Sequence, residues 1–144
     1  MSLTSGQSGE PFDLVIEAGK VREFARATRS SNPAYRATGG AAPVTFLMSS
    51  ELWTGPENAP WGDSPPSYER LLHGEQEFNF FGTPPRIGDH LTGITRVDKL
   101  YTKEGSRGGT MSFIETVTEY RRQGTDDVVA EVRSTLIVTG KAAS

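Results

Sequence analysis

Hydrophobic residues follow different periods in the two halves of the chain. In the first half they recur three to four positions apart, which is typical of one buried face of a helix. The first such face begins after Gly19, at Val21, Phe24, Ala25 and Thr28. It predicts a short amphipathic helix. Asn32-Pro33 is predicted to stop this helix, because a residue before proline is disfavoured in the helical region.

A second helical stripe consists of four residues, Val44, Leu47, Met48 and Leu52. Pro43 suits the first position of a helix, and Gly55-Pro56 is a stop signal. The opposite side carries small or hydroxyl-bearing residues, so we predict a central helix that is enclosed on several sides. Residues 55–67 contain four prolines and Trp61. They predict a long irregular loop, in which Trp61 either inserts into the core or serves a function.

In the second half of the chain the period is two. Four segments rich in β-branched and aromatic residues are predicted as strands: Leu71–Phe80, Leu91–Tyr101, Met111–Tyr120 and Val128–Thr139. The glycine-containing segments Glu104–Gly109 and Arg122–Asp126 are typical of hairpin turns, and Phe12–Glu17 is a short strand-prone run. These elements predict an α+β domain in which a curved antiparallel sheet wraps the central helix.

Length and charge limit what else the chain can hold. Its 144 residues allow one domain, expected at residues 11–144, after a Ser/Gly-rich leader at residues 1–10 that is expected to be flexible. The net charge is -3 without a Lys/Arg cluster, which argues against a nucleic-acid partner. The absence of cysteine and the presence of only two histidines argue against a transition-metal site. With no signal-peptide pattern and no apolar run of the ~20 residues that span a bilayer, a cytoplasmic protein without a membrane partner is expected.

His73 is the strongest candidate for acid/base chemistry, since imidazole titrates near neutral pH. The period of a strand predicts that His73 shares one face with Glu75 and Glu77. A catalytic group and a partly solvated or interfacial face would both produce this pattern. The residues by themselves leave that choice open.

An ordered series of motifs resembles the MaoC-like hotdog dehydratases, and most closely their N-terminal, FAS1-type dehydratase half. After the short helix and the Asn-Pro loop come the Ala-Pro-Val-Thr-Phe segment, the Leu-His-Gly-Glu-Gln-Glu-Phe segment, a Gly-Asp corner and a Gly-Gly hairpin, at Ala42–Phe46, Leu72–Phe78, Pro85–Asp89 and Gly108-Gly109. The match extends from Phe12 to Val138. It implies a single hotdog domain, a curved antiparallel sheet around a central helix, which pairs with a second hotdog unit.

The resemblance also implies that the catalytic loop of the family lacks its acid/base residues in this chain. Catalytic members carry an Ala-Ser-Gly-Asp-x-Asn-Pro-x-His segment, whose Asp and His add or remove water across the 2,3-bond of a thioester-linked acyl chain. In this chain Ala27, Asn32 and Pro33 match, but Ser30 stands at the Asp position and Tyr35 at the His position. Serine is not a base near neutral pH, and tyrosine, with a free-state pKa of ~10, is mostly a donor. The resemblance therefore implies no catalytic residue here.

We therefore predict a substrate-accommodating, non-catalytic subunit of a heteromeric (R)-type enoyl-CoA hydratase or 3-hydroxyacyl-thioester dehydratase. A partner hotdog chain would supply the Asp and the His. The substrate would be a bulky or long acyl group, fatty or steroid side-chain, on coenzyme A or an acyl carrier. No cofactor or metal is implied. The predicted substrate-binding residues are Asn32, Tyr35, Thr45, Phe46 and His73.

Two alternatives remain open. The chain could be a homodimeric acyl-CoA-binding or scaffold protein with the hotdog fold. It could instead be a hotdog thioesterase that uses Glu75 or Glu77 to activate water. In each case we expect an oligomer, because a single curved sheet on one helix leaves strand edges uncovered.

Overall fold

The computed structural model of the protein describes residues 3–106 and 109–140. Within these residues one antiparallel sheet of five strands has the order β1-β3-β4-β5-β2. The strands are β1 (Phe12–Val15), β2 (Leu71–Phe80), β3 (His90–Glu104), β4 (Thr110–Arg122) and β5 (Val128–Thr139). The α-helix α1 spans Ala18–Ala27, and 3₁₀ helices span Pro33–Arg36, Phe46–Leu52, Pro56–Asn58 and Tyr68–Arg70. The predicted strands and the α+β class are confirmed. Of the predicted hairpin at Glu104–Gly109, positions 107 and 108 lie outside the described residues.

Helix α1 forms as predicted but ends before the Asn-Pro pair. The N–H of Ser30 donates to the carbonyl of Ala25 at 2.8 Å, and the N–H of Arg29 donates to the carbonyl of Arg26 at 3.0 Å. Arg29 has a φ of 57°, so the helix ends in a Schellman motif with a non-glycine residue in the left-handed region. Asn32 instead begins the next helix, because its Oδ1 accepts the Ala34 N–H at 3.0 Å.

The predicted central helix is shorter and less enclosed than expected. It is a 3₁₀ helix of seven residues, Phe46–Leu52. Phe46 is buried, while the side chains of Val44 and Leu52 are 62% and 82% exposed. The Ser49 hydroxyl donates to the Phe46 carbonyl at 2.6 Å and so competes for the acceptor that an α-helix needs at this position. The prediction of enclosure on several sides is therefore wrong, and the helix covers only part of the sheet.

Residues 3–10 lie along the sheet, where we expected a flexible leader. The N–H of Gly6 donates to the carbonyl of Val97 at 2.8 Å, and the N–H of Gly9 donates to that of Thr95 at 3.0 Å. Val97 returns a bond, from its own N–H to the Gln7 carbonyl, at 2.8 Å. These bonds continue the edge that β1 begins on β3. The described part of the leader thus has regular backbone partners.

The hydrophobic core lies at one end of the inner face of the sheet, between the strands, α1 and the 3₁₀ helix at Phe46–Leu52. Its buried residues come from β1, α1, the 3₁₀ helix at Phe46–Leu52 and the inner positions of β3 to β5. Phe24 packs edge-on against Phe46 with ring centroids 5.5 Å apart. Neither α1 nor the 3₁₀ helix at Phe46–Leu52 covers the rest of the inner face. In the parts of the chain that the structure describes, no helix combines the length and the apolar character needed to cross a membrane.

Candidate functional site

The part of the inner face beyond the 3₁₀ helix at Phe46–Leu52 bears a cavity of about 590 Å³. This volume lies in the ~300–1,000 Å³ range of small-molecule sites. Inner positions of β3, β4, β5 and β2 form its floor, and the 3₁₀ helix at Phe46–Leu52 contributes Leu47, Met48 and Ser50 to one wall. The cavity exists because the short helix leaves the inner face open beyond its last turn.

A proline-rich segment, residues 55–68, covers the cavity, and we call it the roof segment. It contributes Pro60, Trp61 and Tyr68 to the lining. Trp61 is half-buried and lines the cavity, and it is not part of the core cluster, so the predicted insertion into the core is wrong. The prolines restrict the backbone of the segment, which reduces the entropy lost when it is ordered.

Residues 7–11 hold the roof segment in place. The Asn58 side-chain amide donates to the carbonyl of Glu10 at 3.1 Å, and the Gln7 amide donates to that of Pro60 at 2.9 Å. A Cβ on Gly9 would collide with the Asn58 backbone carbonyl, so only glycine allows this approach. The N-terminal residues therefore form part of the support of the cavity.

A β-bulge in β2 separates His73 from the two glutamates. His73 pairs with Leu136 and Glu75 pairs with Thr135, which leaves Gly74 as the extra residue. His73 consequently faces the cavity, whereas Glu75 and Glu77 line a separate polar pocket of about 290 Å³ on the outer face. The predicted common face for the three residues is wrong.

Hydroxyl groups cross the middle of the cavity floor, a feature that the sequence analysis missed. Thr95, Thr116, Thr118 and Ser134 all line the cavity, and we call them the hydroxyl belt. The Thr95 and Thr118 hydroxyls lie 2.8 Å apart, and that of Ser134 donates to the Gln76 Oε1 at 2.7 Å. The sequence contained a signal for the hydroxyl belt. These strands carry aliphatic side chains at other inward positions and hydroxyl side chains at these four.

Gln76 connects the belt to His73. Its Oε1 accepts from His73 Nε2 at 2.9 Å, and its Nε2 donates to the Arg133 carbonyl at 3.0 Å. The imidazole is thereby oriented by a neutral amide, and within the described residues it makes no hydrogen bond or ion pair with a carboxylate. Glu51 also lines the cavity, and Glu51 and His73 are the carboxylate and the imidazole among the described lining residues.

Tyr120 closes the core end of the cavity as a neutral phenol. Its hydroxyl lies 2.8 Å from the Ser50 hydroxyl and donates to the Leu47 carbonyl at 3.3 Å. Burial raises the pKa of Tyr120 to about 12, and the hydrogen bond from Ser50 opposes this shift only in part. The group therefore has no role as a base near neutral pH.

The other predicted site residues do not line the cavity. The Ser30 hydroxyl accepts the Asn32 N–H at 3.3 Å, and Tyr35 packs half-buried against the core. Thr45 is exposed and Phe46 is 1% exposed within the core. Of the predicted binding residues, the structure brings only His73 to the cavity.

Comparison with known families matches residues 4–132 to the FAS1-like, dehydratase domain region. The chain belongs to this family. A UPF0336 protein from Clavibacter michiganensis is 33% identical over 130 residues, which cover 84% of this chain and 83% of that protein. A UPF0336 protein from Tropheryma whipplei is 30% identical over 131 residues, or 85% of this chain and 89% of the relative.

Solved structures confirm the hotdog fold, and the resemblance to the MaoC-like hotdog family is confirmed. A chain of the C-terminally truncated HadBC (3R-hydroxyacyl-ACP dehydratase) complex from Mycobacterium tuberculosis has a TM-score of 0.76 at 18% identity, covering 95% of this chain and 98% of the other. A chain of the ChsH1-ChsH2 complex from the same organism has a TM-score of 0.68 at 15% identity, with coverages of 95% and 86%. The MaoC-like dehydratase from Rhodospirillum rubrum has a TM-score of 0.63 at 19% identity, with coverages of 98% and 96%.

Proposed function

We propose that this chain is the substrate-accommodating, non-catalytic subunit of a heteromeric (R)-type enoyl-CoA hydratase or 3-hydroxyacyl-thioester dehydratase. A partner hotdog subunit supplies the catalytic Asp and His. This chain receives a bulky or long acyl group, and the protein works in the cytoplasm. The observation that carries the proposal is a large cavity in a dehydratase-family domain whose loop lacks both catalytic side chains.

The loop retains the backbone of the family motif without its proton chemistry. Asn32 still caps the turn that follows, through its bond to the Ala34 N–H. Ser30 holds the position of the acid, and its hydroxyl is engaged with the Asn32 N–H. Hydration needs one group that accepts a proton from water and one that donates a proton, and this loop holds a hydroxyl at Ser30 and a phenol at Tyr35 in place of a carboxylate and an imidazole. A partner must therefore provide both.

The cavity supports the accommodating role. A full α-helix across the inner face would fill the space that the seven-residue 3₁₀ helix leaves open. Apolar side chains at both ends of the cavity, such as Leu71 and Leu136 at one end and Leu47 and Phe12 at the other, suit a hydrocarbon group. The HadBC and ChsH1-ChsH2 complexes, which contain chains of this fold, support a second hotdog subunit as the partner.

The placement of the glutamates speaks against the thioesterase alternative. Glu75 and Glu77 are on the outer face of β2, and the acyl cavity is on the inner face. A water molecule activated by either carboxylate would be separated from a thioester in the cavity by the sheet itself. His73 does lie in the cavity, but within the described lining it forms no hydrogen-bonded pair with a carboxylate that could activate water in its place.

The decisive experiment compares the chain alone with the chain plus partner. The purified chain should not hydrate crotonyl-CoA or longer enoyl-CoA substrates, as followed by loss of the enoyl absorbance. Co-expression with a hotdog chain that carries an intact Asp-x-Asn-Pro-x-His segment should produce turnover. Robust hydration by the single chain would overturn the proposal.

Two variants test which subunit of the active complex supplies the acid/base chemistry. Replacing the Asp of the partner's Asp-x-Asn-Pro-x-His segment with Asn should abolish turnover. His73→Gln in this chain should raise KM and leave kcat within about threefold, because removing a binding contact shared by ground and transition states changes KM alone. A large fall in kcat for His73→Gln would assign the acid/base chemistry to this chain.

A further inference from the structure

Within the described residues, Ser134 alone of the hydroxyl belt has a side-chain bond outside it, to Gln76, and aliphatic side chains at the three threonines would serve the fold as well. Thr116 and Ser134 are paired across β4 and β5, and Thr95 and Thr118 are paired across β3 and β4. Valine has the shape of threonine, and it would cover a hydrocarbon cavity without a hydroxyl to satisfy. Polar side chains at these inward positions therefore indicate that something polar reaches the middle of the cavity.

The belt is bounded by apolar residues on both sides. Toward the connection between β3 and β4, the next inner positions are Ile114 and Leu136. Toward the core they are Tyr120 and Val132. Inner rows on a strand repeat about every 7 Å, so the belt is a polar stripe of roughly one repeat in an apolar cleft. A ligand that matches this profile is apolar at its ends and carries its polar atom between them.

The belt also has hydrogen-bonding capacity left. The Thr116 side chain is 7% exposed, and its hydroxyl has no side-chain hydrogen bond within the described residues. The Thr95–Thr118 pair uses one proton between two hydroxyls, so one proton and several lone pairs stay available. A ligand oxygen at this depth could accept from or donate to the belt without breaking its existing bonds.

We propose that the cavity selects acyl groups that carry a hydroxyl or ketone oxygen part-way along the chain, and that the hydroxyl belt binds this oxygen. The inference rests on the proposed acyl-accommodating function and adds a substrate class to it. Because the belt residues partly satisfy one another, an acyl chain without the oxygen is disfavoured but not rejected. The expected preference is that of one or two neutral hydrogen bonds, about three- to tenfold in Kd.

Calorimetric titration of the full chain tests this with three thioesters. They are dodecanoyl-CoA, dodecanoyl-CoA hydroxylated at the β-carbon, and dodecanoyl-CoA hydroxylated on its seventh carbon. The mid-chain hydroxyl should lower Kd by about three- to tenfold relative to the unsubstituted thioester, and the β-hydroxyl should not. Equal Kd values for the three thioesters would overturn the inference, and they are the result expected if the belt merely holds water. A preference for the β-hydroxyl would also overturn it.

Variants locate the effect. Thr116→Val with Ser134→Ala should abolish the preference for the mid-chain hydroxyl, so that dodecanoyl-CoA and its mid-chain hydroxylated form bind this variant with equal Kd. Thr135→Val, on the opposite face of β5, is the matched control and should retain the preference. If the double variant does not fold, as judged by circular dichroism, the wild-type comparison decides by itself. Equal binding of all three thioesters would overturn this inference alone, whereas no binding of any would overturn it together with the acyl-accommodating role.

Discussion

The Ser50 and Tyr120 hydroxyls lie 2.8 Å apart at the boundary between the core and the cavity. Seventy positions separate them in the chain, and both are buried. The contact joins the short 3₁₀ helix to β4, so it fixes the wall of the cavity against its floor. It also gives the fold a titratable group that must remain neutral.

Alkaline pH should therefore destabilise the protein through Tyr120. Its pKa is about 12 when folded and 10.0 as the ordinary value, so the native state disfavours the phenolate. The stabilisation is complete below pH 10 and is lost as the pH rises from 10 to 12, with a maximum of about 2–3 kcal/mol. Urea unfolding across this range should show the loss.

Tyr120→Phe should remove that part of the pH dependence. At neutral pH this variant should lose about 1 kcal/mol, because Ser50 keeps no phenol partner. Tyr68→Phe is the control, since Tyr68 is 89% exposed and should leave the pH profile as in the wild type. An unchanged alkaline slope in Tyr120→Phe would refute the assignment.

Arg29→Gly should stabilise the protein. Arg29 is in the left-handed region at the end of α1, where a side chain costs about 1–2 kcal/mol and glycine does not, although glycine loses more entropy on folding. We expect a net gain of about 0.5–1 kcal/mol in the free energy of unfolding. Chemical denaturation measures it.

Arg29→Ala is the matched comparison for this effect. It removes the guanidinium and keeps the backbone strain, so its stability should stay close to that of the wild type. If alanine stabilises as much as glycine does, the side-chain charge is responsible and the backbone explanation fails.

Gly9→Ala should disturb the roof segment. The new methyl would collide with the Asn58 backbone, so we expect a loss of about 1–3 kcal/mol in stability and weaker binding of acyl-CoA. Gly19→Ala is the control, because a Cβ there meets no atom within 4 Å and the residue is helical. That variant should be up to about 1 kcal/mol more stable. Unimpaired binding in Gly9→Ala would mean that residues 7–11 do not support the cavity.

Trp61 should report occupancy of the cavity. The chain has two tryptophans, and Trp61 lines the cavity while Trp53 is 43% exposed outside its lining. Addition of dodecanoyl-CoA should shift or quench the fluorescence of the wild type and of Trp53→Phe. Trp61→Phe should lose most of the signal and still bind in calorimetry. A response that survives in Trp61→Phe would place the acyl group elsewhere.

The strands and helix α1 were predictable and the central helix was not, for physical reasons. The segments β2 and β5 begin and end where their β-branched and aromatic residues do, because turn residues interrupt the pattern on both sides. The stripe at Val44 and Leu52 had helical spacing, but the Ser49 hydroxyl occupies the Phe46 carbonyl, and this local competition does not appear in a hydrophobic period.

The candidate site was only partly predictable. His73 lines the cavity, but its relation to Glu75 depended on one extra residue in the strand. Gly74 was the visible signal, since a glycine inside a strand often marks a bulge. The support from residues 7–11 depends on a long-range approach at Gly9, which only the folded chain reveals.

The bulge at Gly74 changes the parity of the strand. Before it the odd-numbered residues Leu71 and His73 point inward, and after it the even-numbered Gln76 and Phe78 do. In a saturation mutagenesis scan of β2, charged residues should accordingly be tolerated at the even-numbered positions before Gly74 and at the odd-numbered positions after it. Deleting this one glycine would reverse the exposure of a whole half of the strand, so the smallest residue in β2 determines which side chains meet the ligand.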